Sequence, residues 1–146
     1  MNKLKKILLV EDNAKDRELT LETLDDINLL NEVVAVNDGQ EAIDYLLSKN
    51  KYADREKGYP AVILLDIKMP KLNGIEVLKF IREEETLRRI PVVMLTSSKE
   101  DTDLKECYNL GVNAYVVKPV GYPEFVESVR NVGLFWGIVN ELPGIS

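Results

Sequence analysis

Ala61-Val62-Ile63-Leu64-Leu65-Asp66-Ile67-Lys68-Met69-Pro70 sets five apolar residues in a row, ends them on a carboxylate and closes the following turn with proline. An unbroken apolar run of this length fits a strand buried on both faces, as in parallel sheets, although periodicity alone fits a buried helix segment equally well. Pro70 and the turn signal Lys71-Leu72-Asn73-Gly74 favour the strand. A carboxylate inside the run would cost several kcal/mol to bury, whereas at its carboxyl end it faces the crevice where open parallel sheets place their ligands. On this segment alone Asp66 reads equally as a loop cap and as an active group, because Asp is a common turn residue.

Working outward, the same pattern recurs. Ile7 to Val10 is a short apolar run ending in Glu11-Asp12-Asn13. Residues from about Ala14 to Leu30 carry Ala14, Leu19, Thr20, Leu24 and Ile27 near helical spacing, with Asn13 placed as N-cap. Glu32 to Val36 reads as a second strand closed by Asn37-Asp38-Gly39, and Gln40 to Leu47 as a second helix. Lys49 to Tyr59 is polar and aperiodic, so it reads as a loop, long enough to be an insertion or a contact surface. After the Asp66 strand, Ile75, Val77, Leu78 and Ile81 mark a third helix, running to about Glu85. Ile90 to Leu95 is a fourth strand that delivers Thr96-Ser97-Ser98, and Pro91 is tolerable near its start. A fourth helix from about Lys99 to Leu110 stops at Gly111, Val112 to Val117 holds a fifth strand that delivers Lys118-Pro119, and a last helix runs from Pro123 to about Asn140.

Five strand signals alternating with five helix signals predict an α/β fold: a doubly wound parallel sheet of flavodoxin-like order 2-1-3-4-5, flanked by helices on both faces. The length of 146 residues and a hydrophobic content of 45% suit one domain spanning 1–146. A formal charge of −6 argues against a nucleic-acid surface, and the apolar core of the N-terminal stretch is too short for a secretory or membrane-spanning segment. One cysteine and no histidine leave neither a disulfide framework nor Cys/His metal ligands, and a reducing cytoplasm is the simplest compartment. The same composition removes His-based catalysis, so any general base or nucleophile must be Asp, Glu, Lys or Cys107.

The predicted strand order brings Glu11 and Asp12 beside Asp66, and Thr96 and Lys118 from the other side. Three packed carboxylates repel one another unless a cation intervenes, and a hard divalent ion such as Mg²⁺ takes oxygen ligands while keeping several waters. A cation, a hydroxyl and an ammonium around an attacking carboxylate are what a transferring phosphoryl group requires, and Asp66 is the natural nucleophile. Each residue also has an ordinary structural reading: Thr96 as an N-cap, Lys118 as a surface charge, Glu11-Asp12 as a loop start. Their joint occurrence at successive strand ends favours the functional one.

Val10-Glu11-Asp12-Asn13, Leu65-Asp66-Ile67-Lys68-Met69-Pro70 with Asn73-Gly74, Leu95-Thr96-Ser97 and Tyr115-Val116-Val117-Lys118-Pro119 resemble the signature of receiver domains of two-component response regulators, over nearly the whole chain. The resemblance implies phosphoryl transfer from a sensor histidine kinase to Asp66. It also implies Mg²⁺ held by Glu11, Asp12, Asp66 and the backbone carbonyl of Lys68, a switch pair Thr96 and Tyr115, and Lys118 as the phosphate-binding lysine. Lys68 departs from the ordinary pattern by placing a long cation two residues after the phosphoacceptor. Two rival readings remain at this point. One is a phosphatase working through an aspartyl phosphate, which resembles Asp-x-Asp where this chain has Lys68 as the third residue. The other is a pseudo-receiver that binds partners without phosphorylation.

The chain ends at Ser146 without a basic helix, so the expected output is a protein contact rather than an attached domain. Val126, Val129, Val132, Leu134, Phe135, Trp136, Ile138 and Val139 place apolar groups on more than one face of the last helix, and the region from about 123 to 146 reads as a partner or dimer surface. With the long loop before Tyr59, this tail is similar to single-domain regulators that partner bacterial phytochrome kinases, often as dimers.

Overall fold

The computed structural model describes residues 5–26, 31–96 and 101–117. Five short strands form one parallel sheet: β1 (Ile7–Val10), β2 (Val33–Val36), β3 (Val62–Leu65), β4 (Val92–Thr96) and β5 (Ala114–Val117), in the order β2-β1-β3-β4-β5. Parallel register sets Val10 against both Val36 and Leu65, and Thr96 against Val117, so the carboxyl ends of the strands share one edge. The described helices are α1 (Ala14–Asp26), α2 (Gly39–Leu47), α3 (Gly74–Glu83) and α4 (Asp101–Asn109). The expected last helix, and the surface expected near 123–146, lie outside the described residues.

The strands are apolar, but for Thr96 at the end of β4, because both faces of the sheet are covered. Alternation sends Leu8, Val10, Ile63, Leu65, Val92 and Met94 into the cluster that packs on α2 and α3, where Ala42, Leu46, Val77, Leu78 and Ile81 are buried. The intervening residues Ile7, Leu9, Val62, Leu64, Val93 and Leu95 pack against Leu24 of α1.

Boundaries differ from the sequence expectations where side chains act as caps. Asp38 does not merely close β2: its side chain accepts from the Glu41 N–H at 2.8 Å, so α2 begins at Gly39. Asn73 and Glu76 form a reciprocal capping box at the start of α3, the Asn73 side chain accepting from Glu76 N at 2.9 Å and the Glu76 side chain accepting from Asn73 N at 3.1 Å. Beyond α4, Gly111 adopts φ +76°, the left-handed conformation expected of the residue that ends a helix.

The segment Lys49 to Tyr59 corrects the expectation of a plain loop. It contains a 3₁₀ turn at Asn50–Tyr52 and folds back onto α2. Tyr52 packs edge-on against Tyr45 with centroids 5.1 Å apart, and the Arg55 guanidinium lies 4.1 Å over the Tyr45 ring while its Nε donates to Tyr45 O at 2.7 Å. Tyr52 Oη donates to Glu41 Oε1 at 2.7 Å, and Lys51 Nζ pairs with the same oxygen at 2.9 Å. Burial alone would raise the Glu41 pKa, but hydrogen bonds from Tyr52, Lys51 and the Asn37 N–H outweigh it and hold this carboxyl below its ordinary value.

Candidate functional site

The site is built where β1 and β3 run side by side and their chains then part, one into α1 and the other into α3. Asp66 leaves β3 immediately after Leu65, with its N–H donating to Val10 O at 3.1 Å, and Glu11 leaves β1 with its N–H donating to Val36 O at 3.1 Å. Backbone ladder bonds thus carry both residues to the same edge. Asp66 is 6% exposed and Glu11 only 2%.

One carboxylate oxygen each from Glu11, Asp12 and Asp66 lies within 4.8 Å of the others. Asp12 is exposed, so the cluster opens to solvent on that side. Around it, the Glu11 carboxylate accepts from Asn13 N at 3.2 Å, and Arg17 Nη1 donates to Glu11 O at 2.8 Å. Asn13 Oδ1 accepts from Asp16 N at 3.0 Å, so the expected N-cap is formed and the first turn of α1 is fixed beside the cluster. Asp66 Oδ1 is buried without a hydrogen-bond partner among the described residues. A buried, unpartnered carboxylate oxygen is costly unless something positive meets it.

This donor set fits a hard divalent cation. An octahedral ion with oxygens at about 2.1 Å spans roughly 4 Å between opposite ligands. The 4.8 Å spread of the three oxygens is close enough for small side-chain rotations, or one retained water, to complete the shell. Soft ligands are absent from the cluster, which favours oxygen-seeking metals over zinc.

The loop after Asp66 is held tightly against α3. Gly74 N donates to Ile67 O at 2.9 Å, and a Cβ on Gly74 would stand 2.1 Å from Asp66 O. Only a residue without a side chain allows that approach. The dipeptide Asn73-Gly74 reads as a turn in the sequence, and its second role, as the contact that seats the Asp66 loop, carries no separate signal there.

The other expected residues divide as follows. Lys68 lies on the same loop, exposed, and borders a groove with Asp103 of α4, a neighbour that no sequence pattern announced. Thr96 is the last residue of β4 and pairs in register with Val117 of β5. Tyr115, opposite Met94, is half-buried and packs against the larger core cluster. Lys118 lies outside the described residues.

A parallel α/β sheet of order β2-β1-β3-β4-β5 with a buried aspartate and two further carboxylates at its switch point is the architecture of a receiver-type signalling domain. The chain belongs to the response regulator receiver domain family, whose model matches residues 7–130. It is 36% identical over 135 residues to the response regulator Rcp1 of a Synechocystis species, covering 92% of this chain and 90% of Rcp1. The Mn²⁺-bound structure of Rcp1 superposes with a TM-score of 0.85 over 96% of this chain and 99% of that one, at 36% identity. The bacteriophytochrome response regulator RtBRR is 54% identical with a TM-score of 0.80, covering 99% of this chain and 87% of its own. The phosphorylated cyanobacterial phytochrome response regulator RcpA is 41% identical with a TM-score of 0.83, covering 92% and 94% of the two chains. Its relatives thus include phytochrome-associated response regulators.

Proposed function

We propose that this chain is a two-component response regulator that accepts a phosphoryl group on Asp66 from the phosphohistidine of a sensor kinase and signals through protein contacts. The observation that carries the reading is the buried Asp66, whose Oδ1 has no hydrogen-bond partner among the described residues, gathered with Glu11 and Asp12 within 4.8 Å at the strand ends. In the transfer, an Asp66 carboxylate oxygen forms a bond to phosphorus as the phosphorus–nitrogen bond to histidine breaks. The electron pair of that bond stays on the imidazole, which takes a proton from solvent. Mg²⁺, held by Glu11, Asp12, Asp66 and the Lys68 carbonyl, would neutralise charge on the phosphoryl oxygens.

The chain's own residues do the rest. The β1–β3 ladder fixes the nucleophile, and the Gly74 contact keeps its loop from drifting. The roles of hydroxyl and ammonium donor to the phosphoryl oxygens fall to Thr96 and Lys118, on the match of Leu95-Thr96-Ser97 and Lys118-Pro119 to the receiver signature. Once Asp66 is modified, its added charge and acceptor oxygens draw the Thr96 hydroxyl inward and the Tyr115 ring takes the vacated space, biasing the packing of α4 and β5. The half-buried position of Tyr115 on β5 supports this role.

Similarity to RtBRR and RcpA supports a phytochrome-type histidine kinase as the partner, and the apolar residues of the sequence from Val126 to Val139 support the region about 123–146 as a partner or homodimer surface. Among the described residues no helix is long and apolar enough to cross a membrane. The test is incubation with acetyl phosphate and Mg²⁺. Stoichiometric label that is stable to acid, labile to base and lost in Asp66→Asn supports the proposal. Turnover of unrelated phosphate esters would indicate a phosphatase, and no label a phosphorylation-independent interaction module.

A further inference from the structure

Lys68 stands two residues after Asp66 and shares a groove with a second carboxylate, Asp103. Its backbone belongs to the loop that follows Asp66, and its exposed side chain lines a groove with Ile67, Met69, Asn73, Ile75 and Asp103. Asp103 comes from the first turn of α4, so an ammonium from the phosphoacceptor loop and a carboxylate from the next helix border the same open groove. They are the two charged residues of that lining among the described residues. A second observation concerns α4 itself. Cys107 is the one fully buried side chain described on this helix, whereas α3 buries Gly74, Val77, Leu78 and Ile81. A helix with so little apolar anchorage responds to small biases at its edge.

We propose that Asp103 is a positioning residue for Lys68. It draws the ammonium to the α4 side of the groove while Asp66 is unmodified and yields it to the phosphoryl group once Asp66 is modified. The proposal rests on Asp66 being the phosphoacceptor. A phosphoryl group carries a charge of about −1.5 to −2 and three acceptor oxygens against the single charge of Asp103, so the flexible lysine exchanges one partner for the stronger one. Phosphorylation thereby removes a tie between the β3–α3 loop and α4. Because Lys68 is exposed, solvent screens the pair, and the coupling amounts to a few-fold bias rather than a lock.

The test is a double-mutant cycle on the full chain, read by equilibrium binding of beryllofluoride with Mg²⁺ as a noncovalent stand-in for the phosphoryl group. Asp103→Asn releases Lys68 and is expected to tighten beryllofluoride binding about two- to fivefold, and the same substitution in a Lys68→Ala background is expected to leave affinity unchanged. Amide exchange of α4 in the unliganded Asp103→Asn protein should approach that of the beryllofluoride-bound wild type. An unchanged affinity in Asp103→Asn overturns the proposal. So does an equal change in both backgrounds, which would mean that Asp103 acts on α4 without Lys68. Failure of the underlying reading looks different, since the wild type would then neither bind beryllofluoride nor take label on Asp66, and both ideas would fall together.

Discussion

Replacing Gly74 by alanine sets two effects of opposite sign against each other. Gly74 is the first residue of α3 and its φ is not positive, so propensity alone favours alanine by up to about 1 kcal/mol. Against that stands the new methyl group, 2.1 Å from Asp66 O, 2.8 Å from Asp66 C and 2.9 Å from Ile67 Cα. All three are main-chain atoms, so no side chain can rotate away. To reach even the 3.0 Å that real Cβ atoms keep, the separation from Asp66 O must grow from 2.1 Å, a shift of about 0.9 Å. That displacement opens the Gly74 N to Ile67 O bond and moves the phosphoacceptor relative to Glu11 and Asp12. Strain from overpacking typically costs about 1–3 kcal/mol, and misplacement of a reacting group by about 1 Å can cost on the order of a hundredfold in rate. The steric effect therefore wins, for a net loss of about 1–2 kcal/mol. Urea unfolding followed by far-UV circular dichroism reads the first number, and the rate of acetyl-phosphate labelling reads the second. A variant as stable as wild type or more so, labelled within twofold of the wild-type rate, would refute the argument that this contact seats the site.

Three further outcomes follow from contacts away from the cluster. Glu41 has its folded pKa lowered, so the stability it contributes is present above its unfolded value near 4.5 and is lost as pH falls through the folded value. Tyr52→Phe removes one of the bonds that lower it, and should cost about 1 kcal/mol at neutral pH and flatten the stability curve below pH 4.5, as measured by urea titrations across pH. Arg82 donates to Leu110 O, Arg88 O, Ile90 O and Gly111 O at 2.8 to 3.0 Å, tying the α3–β4 and α4–β5 connections together, and Arg82→Lys, which keeps the charge but loses the fork, should cost about 2 kcal/mol in the same assay without abolishing label on Asp66. Burial, helped by the charges of Asp103 and Glu106, pushes the Cys107 thiol up to about 11, so a thiol-reactive disulfide reagent should leave it untouched in the folded protein at pH 8 and modify it fully in urea.

The parallel sheet and the carboxylate cluster were legible because each rests on local pattern. A strand buried on both faces must be apolar throughout, and a carboxylate that ends such a run is conspicuous, as Glu11 and Asp66 both are. The cap at Asn13 and the helix end at Gly111 follow for the same reason, since each is local: the Asn13 side chain accepts from an N–H three residues on, and Gly111 takes a left-handed backbone. What escaped sequence reading depends on pairs distant in the chain. The segment from Lys49 to Tyr59 has no period of its own, and its order comes from Tyr45 and Glu41 on α2, which offer it an aromatic face and a carboxylate. Arg82 reads as one more charged helix residue, although its guanidinium satisfies carbonyls around 28 positions further on. Asp103 meets the Asp66 loop only through packing of α4, which composition does not encode.

The most direct test of the central claim is to locate the modified residue. After treatment with acetyl phosphate and Mg²⁺, borohydride reduction converts an aspartyl phosphate to homoserine, which peptide mapping by mass spectrometry assigns to one position. Homoserine is expected at residue 66, formed only when a divalent cation is present. Homoserine at another carboxylate, or none anywhere with the protein folded and the cation supplied, would contradict that claim.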